Sequence, residues 1–176
     1  MSCKRVIVSL LMLSLIFALA GCLSNFLPTA PAVNPAQDKT GVLYLQPAQL
    51  TTAPSENFEV DLKVGEVVNL KGYSVTLSYD PAHLCLNKVQ EGTFFSSEGE
   101  TFFYHKIDDK KGTVLIDCAI LGRNLAVSGE GDLSTLSFTA LKAGSSSLSF
   151  KLTRTRDTRN QEIITSKQNA VVKCKK

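Results

Sequence analysis

Tryptophan is missing from this 176-residue chain, and histidine occurs only twice, at His83 and His105. No apolar run is long enough to cross a bilayer, and neither sign of charge dominates. Each shortage excludes something. A protein that grips sugars stacks the apolar face of the ring on a flat aromatic side chain, and here only Phe and Tyr remain for that work. Nucleophilic catalysis needs a Ser or Cys held by a base. Neither imidazole sits in a zinc, hydrolase or phosphate-loop motif, so no enzyme and no catalytic residue is expected. Asp157, Asn160 and Glu162 have oxygen ligands to offer a cation, but Arg154, Arg156 and Arg159 are interleaved with them and oppose it. No metal site and no cofactor is assigned.

Lys and Arg total 19 against 16 Asp and Glu. Two of those cations, Lys4 and Arg5, belong to a segment read as an export signal, and the rest of the chain is nearly neutral. Nucleic acids and acidic polymers require a concentrated basic face, so neither is expected as a partner. What the chain does have is 44% hydrophobic content in the length of one domain. That excludes a disordered tail or a collagen-like rod and suffices for a core.

Lys4 and Arg5 precede the apolar stretch Val6 to Leu19, which is broken only by Ser9 and Ser14 and leads into Leu19-Ala20-Gly21-Cys22. As a helix the stretch rises about 21 Å, short of the roughly 30 Å hydrocarbon core, so it reads as a signal peptide and not a span. The small residues before Cys22 resemble a bacterial lipobox. That resemblance implies cleavage after residue 21 and acylation of Cys22, giving an exported protein anchored to a membrane without crossing it, facing outside the cytoplasm. Residues 22–39, with Pro28, Pro31 and Pro35 among small polar residues, read as a tether. At about 3.1 Å per residue it reaches on the order of 50 Å.

From residue 40 to 176 the pattern is strand after strand. Phe58, Val60, Leu62 and Val64 alternate with polar residues, as do Val75, Leu77 and Tyr79, and the second run ends at Asp80-Pro81. Further strands are read around Val42 and Tyr44, Leu84 and Leu86, Phe102 and Tyr104, Val114 to Ile120, Leu133 to Phe138, Leu148 to Leu152, and Ile163 to Val172. Lys111-Gly112 marks one turn, and Ala143-Gly144 is read as a hairpin between the seventh and eighth strands. Nine strands without a convincing helix predict an all-β fold, a nine-stranded β-sandwich with jelly-roll topology.

Four blocks carry a family resemblance: Gly72 to Leu84 with its Tyr79-Asp80-Pro81 turn, Lys111 to Val114, Ser128 to Phe138, and Lys142 to Leu148. In order and spacing they resemble a cohesin domain over roughly residues 41–174. The resemblance implies that the third, fifth, sixth and eighth strands form a flat sheet that binds the dockerin module of a partner protein. Several carbohydrate-binding modules share the fold, so the fold by itself does not choose the ligand.

Strand parity places the outer surface of that sheet. If Val75, Leu77 and Tyr79 point inward, then Ser74, Thr76 and Ser78 point outward, with Leu115, Asp117 and Ala119 beside them. With Phe102 and Tyr104 taken as inward, Phe103 and His105 fall outward, and Ser147, Ser149 and Lys151 complete the face. Small hydroxyls around an apolar centre of Leu115 and Phe103 suit a protein partner. A polysaccharide is the alternative partner, with Phe94, Phe95, Phe102, Phe103 and Tyr104 as candidate platforms. A third reading is an envelope lipoprotein that uses the sandwich only for assembly.

Of five cysteines, Cys3 leaves with the signal and Cys22 is acylated, so Cys85, Cys118 and Cys174 remain. Three cannot all pair within one chain. Parity puts Cys118 inward and Cys85 outward, which argues against a bridge between them.

Overall fold

The computed structural model describes residues 40 to 176. The expected signal peptide, Cys22 and the expected tether lie outside the described residues. The strands are β1 (Thr40–Gln46), β2 (Gln49–Thr52), β3 (Asn57–Ser78), β4 (Leu84–Glu91), β5 (Thr101–Asp108), β6 (Thr113–Ile120), β7 (Val127–Ala140), β8 (Gly144–Asp157), β9 (Ile164–Gln168) and β10 (Ala170–Cys174). A single helical turn, α1 (Thr93–Ser96), joins β4 to β5.

The ten strands form an all-β sandwich whose layers share β3. Its first part pairs with β1 and β7, giving the order β9-β1-β3-β7-β4. Its last part pairs with β6 and β8, giving β5-β6-β3-β8-β10-β2. All pairings are antiparallel except β1 with β9 and β10 with β2. The runs Phe58 to Val64 and Val75 to Tyr79, read from sequence as two strands, are therefore one strand of 22 residues that changes layers. Register shifts at Val64/Val67 and Val67/Leu70, with Glu66 and Asn69 at φ of 55° and 60°, supply the bend. Asn69 is held there by its backbone N–H donating to Ser128 Oγ and its side-chain amide donating to Thr158 Oγ1.

Two further expectations change. Ala143-Gly144 is not a hairpin, because β7 and β8 lie in different layers and each pairs with its own part of β3. The expected ninth strand is divided at Asn169, whose side-chain oxygen accepts from the Phe150 backbone N–H. β9 runs beside β1 in one layer and β10 beside β8 in the other.

Between the layers lie Leu43, Leu45, Val60, Leu62, Val64, Val75, Leu77, Ile116, Leu136 and Phe138, each exposed by 2% or less. Burying each such side chain contributes about 1.5–3 kcal/mol of transfer free energy. Phe138 ties the layers together: it stacks on Phe58 at 5.5 Å and meets Tyr79 edge-on at 5.4 Å. α1 closes one end, with Phe95 buried against Tyr73 at 5.6 Å, while the Tyr73 hydroxyl donates to Leu133 O.

Cys118 points inward and is buried, Cys85 is half-buried on β4 in the other layer, and Cys174 is buried; all three are free thiols. Burial, with the Glu91 carboxylate beside it, pushes the Cys118 thiol up to about 12.

Candidate functional site

The outer face of β5-β6-β3-β8 is ordered by its hairpin. Gly112 adopts φ +60° in the turn between β5 and β6, and a Cβ there would lie 2.3 Å from Tyr79 O and 2.5 Å from Pro81 Cδ, so only glycine lets the turn pack on the Tyr79-Asp80-Pro81 corner. The Tyr79 N–H donates to Gly112 O at 2.8 Å. From this turn the register runs Asp108 opposite Thr113, Lys106 opposite Leu115, Tyr104 opposite Asp117 and Phe102 opposite Ala119. β6 then faces β3 with Leu115 at Thr76, Asp117 at Ser74 and Ala119 at Gly72. β8 places Leu152 at Thr76, Arg154 at Ser74 and Arg156 at Gly72.

Ser74, Thr76, Ser78, Leu115 and Asp117 thus lie together on this face, all partly exposed beside inward neighbours. Ser147 and Ser149 also point out and share a hydroxyl–hydroxyl contact of 2.9 Å, but Ser147 is opposite Val171 of β10 and sits beyond the end of β3. Lys151 is exposed as the extra residue of a bulge, since Leu77 pairs with Phe150 and Thr76 with Leu152.

Phe103 and His105 correct the expected parity. They stand opposite Cys118 and Ile116, on the core side of β5, and Phe103 is half-buried against the core. Phe102 and Tyr104 take the outer face, 56% and 44% exposed. Thr101 to Tyr104 lacks the alternation that sets parity, so cross-strand register decides it. Counting back from the Lys111-Gly112 turn gives the observed answer. His105 remains exposed because β5 is an edge strand, with its ring 5.9 Å from that of Phe103.

Sequence reasoning also missed Leu152, Arg154 and Arg156. Leu148, Phe150 and Leu152 continue one apolar alternation, which puts Leu152 inside. The bulge at Lys151 reverses the parity and leaves Leu152 47% exposed, with both arginines turned outward.

Between these side chains is a depression of about 490 Å³, with Gly72, Ser74 and Ala119 as its floor, Phe102 on one side and Arg154 and Arg156 on the other. A Cβ at Gly72 would fall 2.9 Å from Cys118 O and 3.1 Å from Ala119 Cβ, so the floor is as low as a sheet allows. Asp117 lines it too, and its Oδ1 is buried without a hydrogen-bond partner. An acceptor removed from water and left unpaired costs about 1–3 kcal/mol, which a docked donor recovers.

His83 does other work. Its Nδ1 lies 2.8 Å from Asp80 Oδ2, and its ring packs over Gly144, fixing the Asp80-Pro81 corner against the loop into β8. The Ala82 N–H and, after it, that contact hold the Asp80 carboxyl below its ordinary range. Among the described residues no cluster of His, Cys, Asp and Glu is arranged to hold a metal.

The model of the cohesin domain family matches residues 43–172. The chain belongs to the cohesin domain family. Cohesin domains are non-catalytic protein-binding modules, which is consistent with a chain that is not an enzyme. No curated protein sequence matches it. Solved cohesins share its fold. A type II cohesin from the cellulosome of Acetivibrio cellulolyticus is 20% identical, with a TM-score of 0.68 over 76% of this chain and 95% of that one. The chain from a type I cohesin–dockerin complex of Clostridium thermocellum is 16% identical, with a TM-score of 0.67 over 78% and 100%. A non-cellulosomal cohesin of the archaeon Archaeoglobus fulgidus is 14% identical, with a TM-score of 0.66 over 78% and 92%.

Proposed function

We propose that this cohesin docks a dockerin-bearing partner on the outer face of β5-β6-β3-β8 and holds it at a membrane through an acylated Cys22. The observation that carries the docking is the unpaired, buried Asp117 Oδ1 in a depression flanked by exposed Phe102, Tyr104 and Leu152. An apolar anchor beside an unmet acceptor is what a protein partner covers with benefit. Leu115 and Thr76 continue the face, and Ser74 and Ser78 add hydroxyls to its rim. Solved relatives in complex with dockerins supply the partner class. The export signal, lipobox-like Cys22 and Pro-rich tether support display outside the cytoplasm, in a setting such as a polysaccharide-degrading assembly. Cys22→Ser tests the anchor: the protein is expected to move from the membrane fraction to the soluble one, and continued retention rules the lipid out.

The outward turn of Phe102 and Tyr104 favours one second reading, stacking of a sugar on this pair. A panel of dockerin modules and a panel of insoluble polysaccharides, each presented to the mature chain, separate the two. Docking predicts dockerin capture that weakens about thirtyfold in Leu115→Lys, the scale of an interface hot spot. Capture by polysaccharide alone, lost in Tyr104→Ala, replaces docking with sugar binding. Capture by neither leaves the assembly role of an envelope lipoprotein.

A further inference from the structure

The chain as a whole is nearly neutral, yet the candidate docking face is not. Lys71, Lys106, Lys151, Arg154 and Arg156 lie on or around it, against the carboxylates of Asp108, Asp117 and the buried Asp157, which accepts from the Arg159 and Gln161 backbone N–H groups. Asp108 is already engaged by Lys111 at 3.4 Å and by the Lys111 backbone N–H. Lys71 donates to Gly122 O. Among the described residues neither Arg154 nor Arg156 takes part in an ion pair; Arg156 Nη1 reaches only the Asn160 carbonyl, at 3.5 Å. Asp117 forms no ion pair with either among the described residues; Ser74 stands between it and Arg154 in the cross-strand row.

Resting on the docking reading, we propose that the dockerin element seated on this face is acidic where it crosses β8, carrying carboxylates that pair with Arg154 and Arg156. The two arginines are two residues apart on one side of a strand, about 7 Å from each other. Residues one turn apart on a helix are about 5–6 Å apart, so an acidic pair at i and i+4 on a docking helix meets both forks. Guanidinium groups bind carboxylates in a bidentate manner, which fixes register as well as charge. Glycine at position 72, opposite Arg156, lowers the floor so that the docked element approaches closely enough for these pairs to lose water. The feature that makes this possible is the Lys151 bulge, which turns both arginines to the same face as Asp117.

The test uses a dockerin module displayed on yeast with its surface positions randomised, sorted against the full chain in detergent. Clones selected by the unaltered chain are expected to be enriched in Asp and Glu at positions a helical turn apart. They should bind the Arg154→Gln/Arg156→Gln chain about tenfold more weakly, the scale of a close interfacial charge pair. Sorting against Arg154→Glu/Arg156→Glu should enrich Lys and Arg instead. Rising ionic strength should weaken binding to the unaltered chain more than to the glutamine variant, a comparison that checks the same contact without charge reversal. Selected clones without acidic enrichment, or with equal affinity for the glutamine variant, overturn the proposal while docking stands. If no clone binds any form of the chain, docking itself fails and this inference falls with it.

Discussion

On the outer face of the β9-β1-β3-β7-β4 layer, three polar side chains along β3 each accept a hydrogen bond from the hydroxyl directly opposite on β7. Thr135 donates to Asp61 at 2.7 Å, Ser137 to Glu59 at 3.1 Å and Thr139 to Asn57 at 2.6 Å. Asn87 on β4 then donates to Thr139, and Lys63 pairs with Asp132 at 2.8 Å. Across the core, Asp117 stands between Ser74 and Tyr104 with a buried oxygen that nothing meets. The residue types on the two faces are alike. One face closes its hydrogen bonds internally and has little to gain from a partner, whereas the other leaves an acceptor, two aromatic rings and two arginines open. Composition cannot distinguish them; pairing can.

The largest effect should erase the distinction. Phe138 touches Phe58 and Tyr79 and is fully buried, so Phe138→Ala is expected to cost about 3–5 kcal/mol in urea unfolding and to weaken both faces together. A loss below 1 kcal/mol would mean that the layers do not share this core.

A smaller and sharper test replaces one carboxylate on each face. Asp61→Val strands the Thr135 hydroxyl and should destabilise by about 1–2 kcal/mol without altering partner binding. Asp117→Val removes an unpaired acceptor from a strand that favours β-branched residues, and should stabilise the free chain by about 1 kcal/mol while weakening docking. Effects of the same sign on unfolding would contradict the contrast between the faces.

The smallest effect concerns carboxylates at the turns, at the margins of both layers. Backbone N–H groups of Ala53, Ala82 and Lys111 bind the Glu56, Asp80 and Asp108 carboxylates and hold each below its ordinary range. A carboxyl with a lowered value in the folded chain contributes stability above its unfolded value and loses it as pH falls through the folded one. Stability should therefore decline on the acid side of the carboxylate range, and Glu56→Gln with Asp80→Asn and Asp108→Asn should flatten that decline. These groups are exposed, so the change is small. An unchanged acid limb would show that other groups drive it.

Much of the site is legible along the chain, but unevenly. Val75, Leu77 and Tyr79 alternate cleanly with Ser74, Thr76 and Ser78, and Val114 to Ile120 does the same, so the centre of the face follows from period two. β5 offers no such alternation through Phe102, Phe103 and Tyr104, and only the count from the Gly112 turn assigns it. β8 is harder still: its apolar alternation runs unbroken through Leu152, and the bulge that overrides it leaves no mark in the local sequence. The merging of two expected strands into β3 has a similar cause, since Glu66 and Asn69 absorb a bend that interrupts the pattern without ending the strand.

The sequence by itself determined the β class, the corner at Asp80-Pro81, the central row of the outer sheet and the near-neutral charge of the chain. Each rests on local chemistry, namely alternation, a turn residue or a count. Only the tertiary structure decided which aromatic rings on β5 meet solvent, that the bulge brings Leu152, Arg154 and Arg156 to Asp117's face, and that Asp117 lacks a partner while Asp61 has one. Those outcomes depend on register, across a hairpin for the rings of β5 and between strands far apart in the chain for the rest, where a shift of one residue exchanges the two faces.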